Sequence, residues 1–396
     1  MKDAMLNSVP DAVPVISDTA ALERACARLA EAPFVTVDTE FMRETTYWPK
    51  LCLIQVAGPD LAAVIDPKAP GISLDPFFAL MADARVIKVF HAARQDIEII
   101  FHLARVIPKP LFDTQVAAMV CGFGESVSYS ALVKQITGRN HDKTSRFTDW
   151  DRRPLSDQQL RYAIGDVTHL RDVYLKLTEQ LQRAGRAHWL NDEMALLENP
   201  ATYETVPEEA WQRLKVRLRS PLAMAIVIEA AAWRERLAQR QDVPRSRILK
   251  DEAIYDLAAQ APRTVEDLAK LRSFRDGSAR SARGRELVEV VVRALARDPA
   301  TIPAVAQGHS LGASDAAVAD LLRVLLKAVA ARHGVAPRLI AGSDDLERIA
   351  MSGETADTPA LTGWRRELFG DAALALKAGK LALTMRDGEV VAAPIG

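Results

Sequence analysis

Asp38 and Glu40 stand two residues apart in Val37-Asp38-Thr39-Glu40-Phe41, where an apolar run ends. Residues i and i+2 of a strand project from one face, so both carboxylates can reach a single ion. Tyr162 and Asp166 stand four apart in Arg161-Tyr162-Ala163-Ile164-Gly165-Asp166, one helical turn, which lets a phenol and a carboxylate share a site. Asp96 falls early in a helical pattern, in His91-Ala92-Ala93-Arg94-Gln95-Asp96-Ile97, where an acid is also explained simply by the positive end of the helix. Each piece alone is weak, since DxE pairs are common and a Tyr-x-x-x-Asp pair is usually a solvated surface contact. Their order is more specific: DxE at a strand end, an aspartate on the helix after a later strand, then YxxxD on a third element. Other chemistries fall away, because the histidines show no HxxxH spacing, no GxxxxGK occurs, and Gly122-Phe123-Gly124 lacks the third glycine of a dinucleotide loop.

These residues need a scaffold, and the apolar pattern supplies one. Phe34 to Asp38, Leu51 to Ala57, Leu61 to Ile65 and Val86 to Phe90 read as strands. Leu74 to Met81 and Ala92 to Ala104 carry apolar residues at helical spacing, giving the order strand, strand, strand, helix, strand, helix. From Thr114 onward the period stays near 3.6, through Tyr129 to Ile136 and Ser156 to Leu181, with Ser156 an N-cap after Pro154. The expected fold is an α/β domain, a mixed sheet flanked by helices, followed by all-helical bundles.

Length, at 396 residues, suggests two or three domains. Prolines and polar residues from Glu198 to Pro207 mark one linker, and Asp298 to Gly312 marks a second. The expected domains are residues 1–200, 207–297 and 310–390. Val243-Pro244-Arg245 before Asp256-Leu257-Ala258 is echoed by Ala336-Pro337-Arg338 before Arg348-Ile349-Ala350, which suggests a duplication of the helical block. Cys26, Cys52 and Cys121 are odd in number and form no CxxC pair, so reduced thiols are expected. Neither a basic-then-apolar leader nor a membrane-length apolar run occurs, which points to the cytoplasm. The net charge of -1 hides an asymmetry: Trp211 to Arg285 holds 17 Lys plus Arg against 9 Asp plus Glu, so the rest of the chain is acidic.

The order of acids and tyrosine resembles the 3′-5′ exonuclease family with four acidic residues and a tyrosine, on a ribonuclease-H-like fold. The wording is closer still to bacterial ribonuclease D, through Val37-Asp38-Thr39-Glu40-Phe41, Tyr47-Trp48-Pro49, Leu51-Cys52-Leu53-Ile54-Gln55, Phe90-His91-Ala92-Ala93-Arg94-Gln95-Asp96, Thr148-Asp149-Trp150 and Arg153-Pro154-Leu155. That agreement spans roughly residues 30 to 200. Four carboxylates in one place repel one another unless divalent cations, which take hard oxygen ligands, neutralise them. The resemblance implies two Mg²⁺ or Mn²⁺ ions, about 4 Å apart in such sites, held by Asp38, Glu40, Asp96 and Asp166, with Tyr162 orienting the attacking water. It implies hydrolysis from RNA 3′ ends with release of 5′-mononucleotides, and trimming of transfer-RNA precursors and other small structured RNAs; a monomer is expected.

Secondary candidates follow. Phe41 could stack on a terminal base, His91 could contact substrate, Thr39, Arg94 and Gln95 could reach phosphate or sugar, and each has an ordinary structural explanation as well. In the basic block, Arg213, Lys215, Arg217, Arg219, Arg245 and Arg247 form a candidate phosphate-tracking surface. Leu222-Ala223 to Trp233-Arg234-Glu235, then Asp242-Val243-Pro244-Arg245 and Asp251-Glu252-Ala253-Ile254, resemble the helical domain shared by helicases and ribonuclease D (HRDC), a bundle of about five helices. The final block is similar to a second, diverged copy with fewer basic residues, which suits packing against the catalytic domain as well as RNA contact. Two competitors stay open: a 3′-5′ DNA exonuclease, since the same acids serve either sugar, and a catalytically silent RNA-binding scaffold, which would be expected to have lost a ligand.

Overall fold

The computed structural model describes residues 13–141, 148–215, 220–274, 277–303 and 311–395. By its internal contacts the chain forms two compact units. One comprises Met1–Glu40, Leu51–Thr202 and Leu311–Gly396, and the other Phe41–Lys50 and Tyr203–Ser310. No helix among the described residues is long and apolar enough to cross a membrane.

The first unit is built on a six-stranded sheet. Its strands are β1 (Val15–Ile16), β2 (Phe34–Met42), β3 (Lys50–Ala57), β4 (Ala62–Ile65), β5 (Ile87–Phe90) and β6 (Leu111–Asp113), in the spatial order β1-β4-β3-β2-β5-β6. β1 runs parallel to β4, β4 antiparallel to β3, and β2, β5 and β6 are mutually parallel neighbours, so the sheet is mixed. Phe34 to Val37 are buried without alternation, as befits a β-branched strand covered on both faces. The Thr36 hydroxyl is central here, lying 3.0 Å from Ala57 O and 2.8 Å from Val167 O, which ties β2 to a neighbouring strand and to the long helix that carries Asp166.

The helices of this unit are α1 (Thr19–Leu29), α2 (Asp75–Ala82), α3 (Arg94–Ala104), α4 (Thr114–Val120), α5 (Tyr129–Thr137), α6 (Asp157–Arg183) and α7 (Asn191–Leu197). α6 starts where a capping box places it: Ser156 Oγ accepts from Gln159 N at 3.2 Å, and Gln159 Oε1 accepts from Ser156 N at 3.0 Å. Just ahead of it, Arg153 grips Asp66 through Nε and a terminal nitrogen at 2.8 and 2.7 Å and donates to Cys52 O at 2.7 Å, fixing the approach to α6 against β3 and the end of β4. Lys88 on β5 is fully buried, yet its ammonium donates to three backbone oxygens, those of Asp83, Val86 and Lys109.

The second unit is helical: α8 (Pro221–Gln241), α9 (Arg245–Ile248), α10 (Asp251–Gln260), α11 (Val265–Leu268) and α12 (Ala282–Leu295). α8 is its axis, buried along most of its length and capped by Ser220 with Pro221 in the first turn. The connection between β2 and β3 belongs to this unit by its contacts. Tyr47 sits in its core, its hydroxyl donating to Glu235 and accepting from Arg245 at 3.0 Å and Gln239 at 3.2 Å. Asp242 Oδ1 accepts from the backbone N–H groups of Tyr47 and Trp48 at 3.0 and 2.9 Å.

The remaining helices return to the first unit: α13 (Ala313–His333), α14 (Pro337–Ile340), α15 (Ser343–Ser352), α16 (Gly363–Arg365) and α17 (Asp371–Lys377). α13, α14 and α15 have 21, 4 and 10 residues, as do α8, α9 and α10, and begin at 313, 337 and 343 against 221, 245 and 251, a constant offset of 92. This block packs on its own unit through Trp364 stacked on Trp189 at 4.2 Å, and through Arg365, which binds Asp192 at 2.5 Å, Glu193 at 2.9 Å and Leu339 O at 2.7 Å. Gly122 is required, because with φ +84° any Cβ would meet Gly334 O at 2.7 Å. A hairpin that the helical expectation did not include follows, β7 (Leu381–Arg386) and β8 (Glu389–Pro394), closed by Asp387-Gly388 with φ +52° and +81°, the signs of a type I′ turn.

Candidate active site

Three elements meet at the site. β2 presents Asp38 and Glu40 from one face, α6 presents Tyr162 and Asp166 one turn apart, and the first turn of α3 presents Asp96. Carboxylate oxygens of Asp38, Glu40 and Asp166 lie within 4.8 Å of one another. Asp96 falls outside that trio. Its carboxylate accepts from the Thr39 hydroxyl at 2.5 Å, a buried contact that gives Thr39 a partner inside the protein. Asp96 is still close enough for its charge to act on Asp38.

The electrostatics are those of buried acids crowded together. Burial, then the carboxylates of Asp166, Asp96 and Glu40, push the Asp38 carboxyl well above the usual range. Burial moves Asp96 to about 7 and raises Asp166, although His141 beside Asp166 acts against that rise. Asp166 Oδ2 is buried with no hydrogen-bond partner among the described residues. Three hard oxygen donors in mutual reach, one of them buried and unpaired, fit a divalent cation, which would relieve both the repulsion and the unmet acceptor.

A cavity of about 300 Å³ opens onto these groups, lined by Asp38, Asp166, Tyr162, His91, Tyr129 and His141 among others. Tyr162 has two ring neighbours, His141 with centroids 5.3 Å apart and Trp150 at 6.0 Å. His91 meets Thr114 Oγ1 through Nδ1 at 3.0 Å, and its ring lies 5.4 Å from Tyr129. Arg94 and Gln95 are exposed at the start of α3, and Phe41 is half-buried at the first position of the helical unit.

Sequence reasoning passed over three contributors. Asp113, at the end of β6, caps α4 by accepting from Gln115 N at 2.8 Å and also accepts from Ala92 N and Ala93 N at 3.0 and 2.9 Å. That anchors the turn in which Ala92 takes φ +59°, which an alanine holds only when its surroundings insist. An aspartate directly before Thr114-Gln115 is an N-cap signal that could have been read. Tyr129 donates to the backbone oxygen of Asp166, and His141 Nε2 lies 3.0 Å from Asp166 Oδ1. Neither has a local pattern to announce it.

In the helical unit, the basic candidates divide. Arg245 is bonded to Glu235 through Nε at 2.5 Å and a terminal nitrogen at 2.7 Å, with its guanidinium carbon 4.7 Å from the Tyr47 ring centroid. Arg213 also approaches Glu235, at 3.4 Å. Glu235 is fully buried, and although burial alone would raise its pKa, the hydrogen bonds from Arg245 and Tyr47 hold it below the usual range. Lys215 and Arg247 are exposed, and Arg217 and Arg219 lie outside the described residues.

A mixed sheet with a DxE pair on an inner strand, and a tyrosine and aspartate one turn apart on the long helix packed against it, defines a 3′-5′ exonuclease of the metal-dependent kind. The family model described as 3′-5′ exonuclease matches residues 13–182, and that of the HRDC domain matches residues 224–291. Ribonuclease D of Nitrobacter hamburgensis is 55% identical over 377 residues, covering 95% of this chain and 98% of that protein. Ribonuclease D of Bartonella henselae is 48% identical, covering 95% and 93%. The crystal structure of Escherichia coli RNase D, described as an exoribonuclease involved in structured RNA processing, superposes with a TM-score of 0.80 at 26% identity, covering 92% of this chain and 99% of that one. The chain belongs to the ribonuclease D family and is a 3′-5′ exoribonuclease.

Proposed function

We propose that the enzyme hydrolyses RNA one nucleotide at a time from the 3′ end, releasing 5′-mononucleotides, with two divalent cations, Mg²⁺ or Mn²⁺, at Asp38, Glu40, Asp96 and Asp166. The observation that carries this reading is the convergence of Asp38, Glu40 and Asp166 oxygens within 4.8 Å beside a cavity that Tyr162 also lines. When bound there, divalent cations supply Lewis acidity, easing deprotonation of a water and offsetting charge on the departing 3′ oxygen. An unperturbed phenol titrates near pH 10, so Tyr162 holds the water for in-line attack rather than taking its proton. His91, on the cavity wall, meets the terminal nucleotide. Phe41, Thr39, Arg94 and Gln95 complete the candidate substrate contacts, Thr39 acting mainly by steadying Asp96.

The domain reading is a catalytic domain over 1–200, an HRDC-type domain over 207–297 and a diverged copy of it over 310–390, supported by the constant offset of 92 between the two helix trios. Because Glu235 offsets the charge of Arg245 and approaches Arg213, phosphate contact falls to exposed cations such as Lys215 and Arg247. Structured RNA processing, the role stated for the Escherichia coli relative, supports transfer-RNA precursors and other small structured RNAs as substrates, acted on in the cytoplasm by a monomer.

The test is digestion of matched 5′-labelled RNA and DNA single strands with Mg²⁺, with chelator, and by Asp38→Asn. A ladder shortening from the RNA 3′ end, abolished by chelator and by the substitution, is expected. Equal loss of DNA would overturn the sugar preference, and chelator-resistant cleavage would overturn the metal assignment.

A further inference from the structure

His141 enters a site that the four-acid-plus-tyrosine pattern does not require it to enter. It lies beyond the end of α5, and its side chain is 5% exposed beside the 8% exposed side chain of Asp166. Its Nε2 stands 3.0 Å from Asp166 Oδ1, at hydrogen-bonding distance without the alignment of a finished bond, and meets no competing partner among the described residues. Its ring is edge-on to Tyr129 at 5.1 Å, tilted against Tyr162 at 5.3 Å and edge-on to His169 at 5.8 Å. Both functional groups of α6, Asp166 and Tyr162, therefore touch the same imidazole.

We propose that His141 is a positioning residue of the nuclease centre: Nε2 engages Oδ1 of Asp166 and so keeps Oδ2 directed at the cation, while the ring packs against Tyr162 and steadies it. This rests on the assignment of Asp166 as a cation ligand. The physical reason is the one that makes outer partners matter in metal sites generally: a carboxylate with one oxygen anchored loses rotamer freedom before the metal arrives, and loss of such a partner costs roughly 10–100-fold in metal affinity or activity. The division of labour within one carboxylate is visible here, since Oδ1 faces the imidazole and Oδ2 is the oxygen left without a partner.

Two substitutions separate the arms of the proposal. His141→Phe retains a ring for Tyr129, Tyr162 and His169 to pack against and removes the nitrogen. His141→Gln retains an N–H donor and removes the ring. Mn²⁺ affinity, measured by calorimetry on the full-length protein in the absence of RNA, is expected to fall at least about 10-fold in His141→Phe and to stay within about threefold of wild type in His141→Gln. At saturating Mn²⁺, kcat on a single-stranded RNA is expected to fall in His141→Gln, which no longer supports the Tyr162 ring, and to return toward wild type in His141→Phe, with KM little changed in either. Wild-type protein and Asp166→Asn are measured in parallel. If Asp166→Asn binds Mn²⁺ as well as wild type, the ligand assignment itself fails. If Asp166→Asn is weakened and His141→Phe is not, the role of His141 fails alone. Equal weakening in His141→Phe and His141→Gln, with unchanged far-ultraviolet circular dichroism, also overturns it, because a donor would then not be what matters. Should His141→Phe not fold, His141→Gln decides: wild-type Mn²⁺ affinity supports the proposal and a 10-fold loss overturns it.

Discussion

Arg245 closes on the fully buried Glu235 through two hydrogen bonds, of 2.5 and 2.7 Å, and lays its guanidinium over the Tyr47 ring. A residue that reads in the sequence as part of a phosphate-attracting run is thus engaged by an internal acid.

Removing Arg245 leaves that acid buried with Arg213, 3.4 Å away, as its remaining cation among the described residues. Arg245→Met is expected to destabilise the helical unit by about 2–4 kcal/mol, less than the upper range for broken buried pairs because Arg245 is partly exposed. Urea unfolding checks it. Arg245→Met combined with Glu235→Leu should recover part of the loss, and a double variant that is simply the sum of the two singles would show that no pair existed.

Tyr162→Phe keeps a ring beside His141 and Trp150 and deletes only the hydroxyl. On the reading that the phenol orients water, kcat should fall by on the order of 10²-fold while KM for RNA and Mn²⁺ affinity hold. A change confined to KM would assign Tyr162 to substrate binding instead.

The crowded acids make stability without metal depend on pH in a defined sense. Asp38, Asp96 and Asp166 titrate higher in the folded, metal-free chain than the ordinary 3.8, so the folded state binds their protons more tightly. The stability they contribute is complete below pH 3.8 and is lost as pH rises, through about 7 for Asp96. His91 and His169, lowered by burial, act with the opposite sign below pH 6.5, so the comparison is with Asp96→Asn. In chelator, Tm of wild type relative to Asp96→Asn should fall from pH 5 to pH 8, and Mn²⁺ at pH 8 should reverse the fall. A wild-type Tm that instead rises relative to Asp96→Asn between pH 5 and pH 8 would contradict the buried, protonated Asp96.

Among the described candidates Arg213, Lys215 and Arg247 are exposed, and of these Arg213 approaches the buried Glu235. Each phosphate contact on single-stranded RNA releases about 0.7 counterions, so Lys215→Gln with Arg247→Gln should flatten the slope of log K against log salt by about 1.4. Filter binding over a salt series gives the slope. One that is unchanged would move the RNA path elsewhere on the helical unit.

Much of the site was legible because its chemistry is written in local spacing. A strand places Asp38 and Glu40 on one face and a helix places Tyr162 and Asp166 one turn apart, whatever the rest of the chain does. β1 and β6, with two and three residues, are too short to show a period, and they exist because longer strands beside them offer hydrogen bonds. The hairpin at Asp387-Gly388 carried its signal openly and was absorbed into a helical run by context. His141 had no signal of that sort. Its role comes from a contact 25 residues further along the chain, at Asp166, and periodicity does not report such contacts. Nor can a count of arginines tell Arg245 from Arg247, since the difference is one buried glutamate.

The segment from Phe41 to Lys50 has a practical consequence for anyone wishing to shorten this enzyme. Ending the chain before Tyr203, the natural cut for a minimal nuclease, keeps Glu40 but deletes Glu235, Gln239, Asp242 and Arg245. The Tyr47 phenol and the two amides that Asp242 holds would then turn to water one loop away from the DxE pair. A miniaturised version therefore calls for a redesigned β2–β3 connection, with a polar residue in place of Tyr47, and not merely for an earlier stop codon.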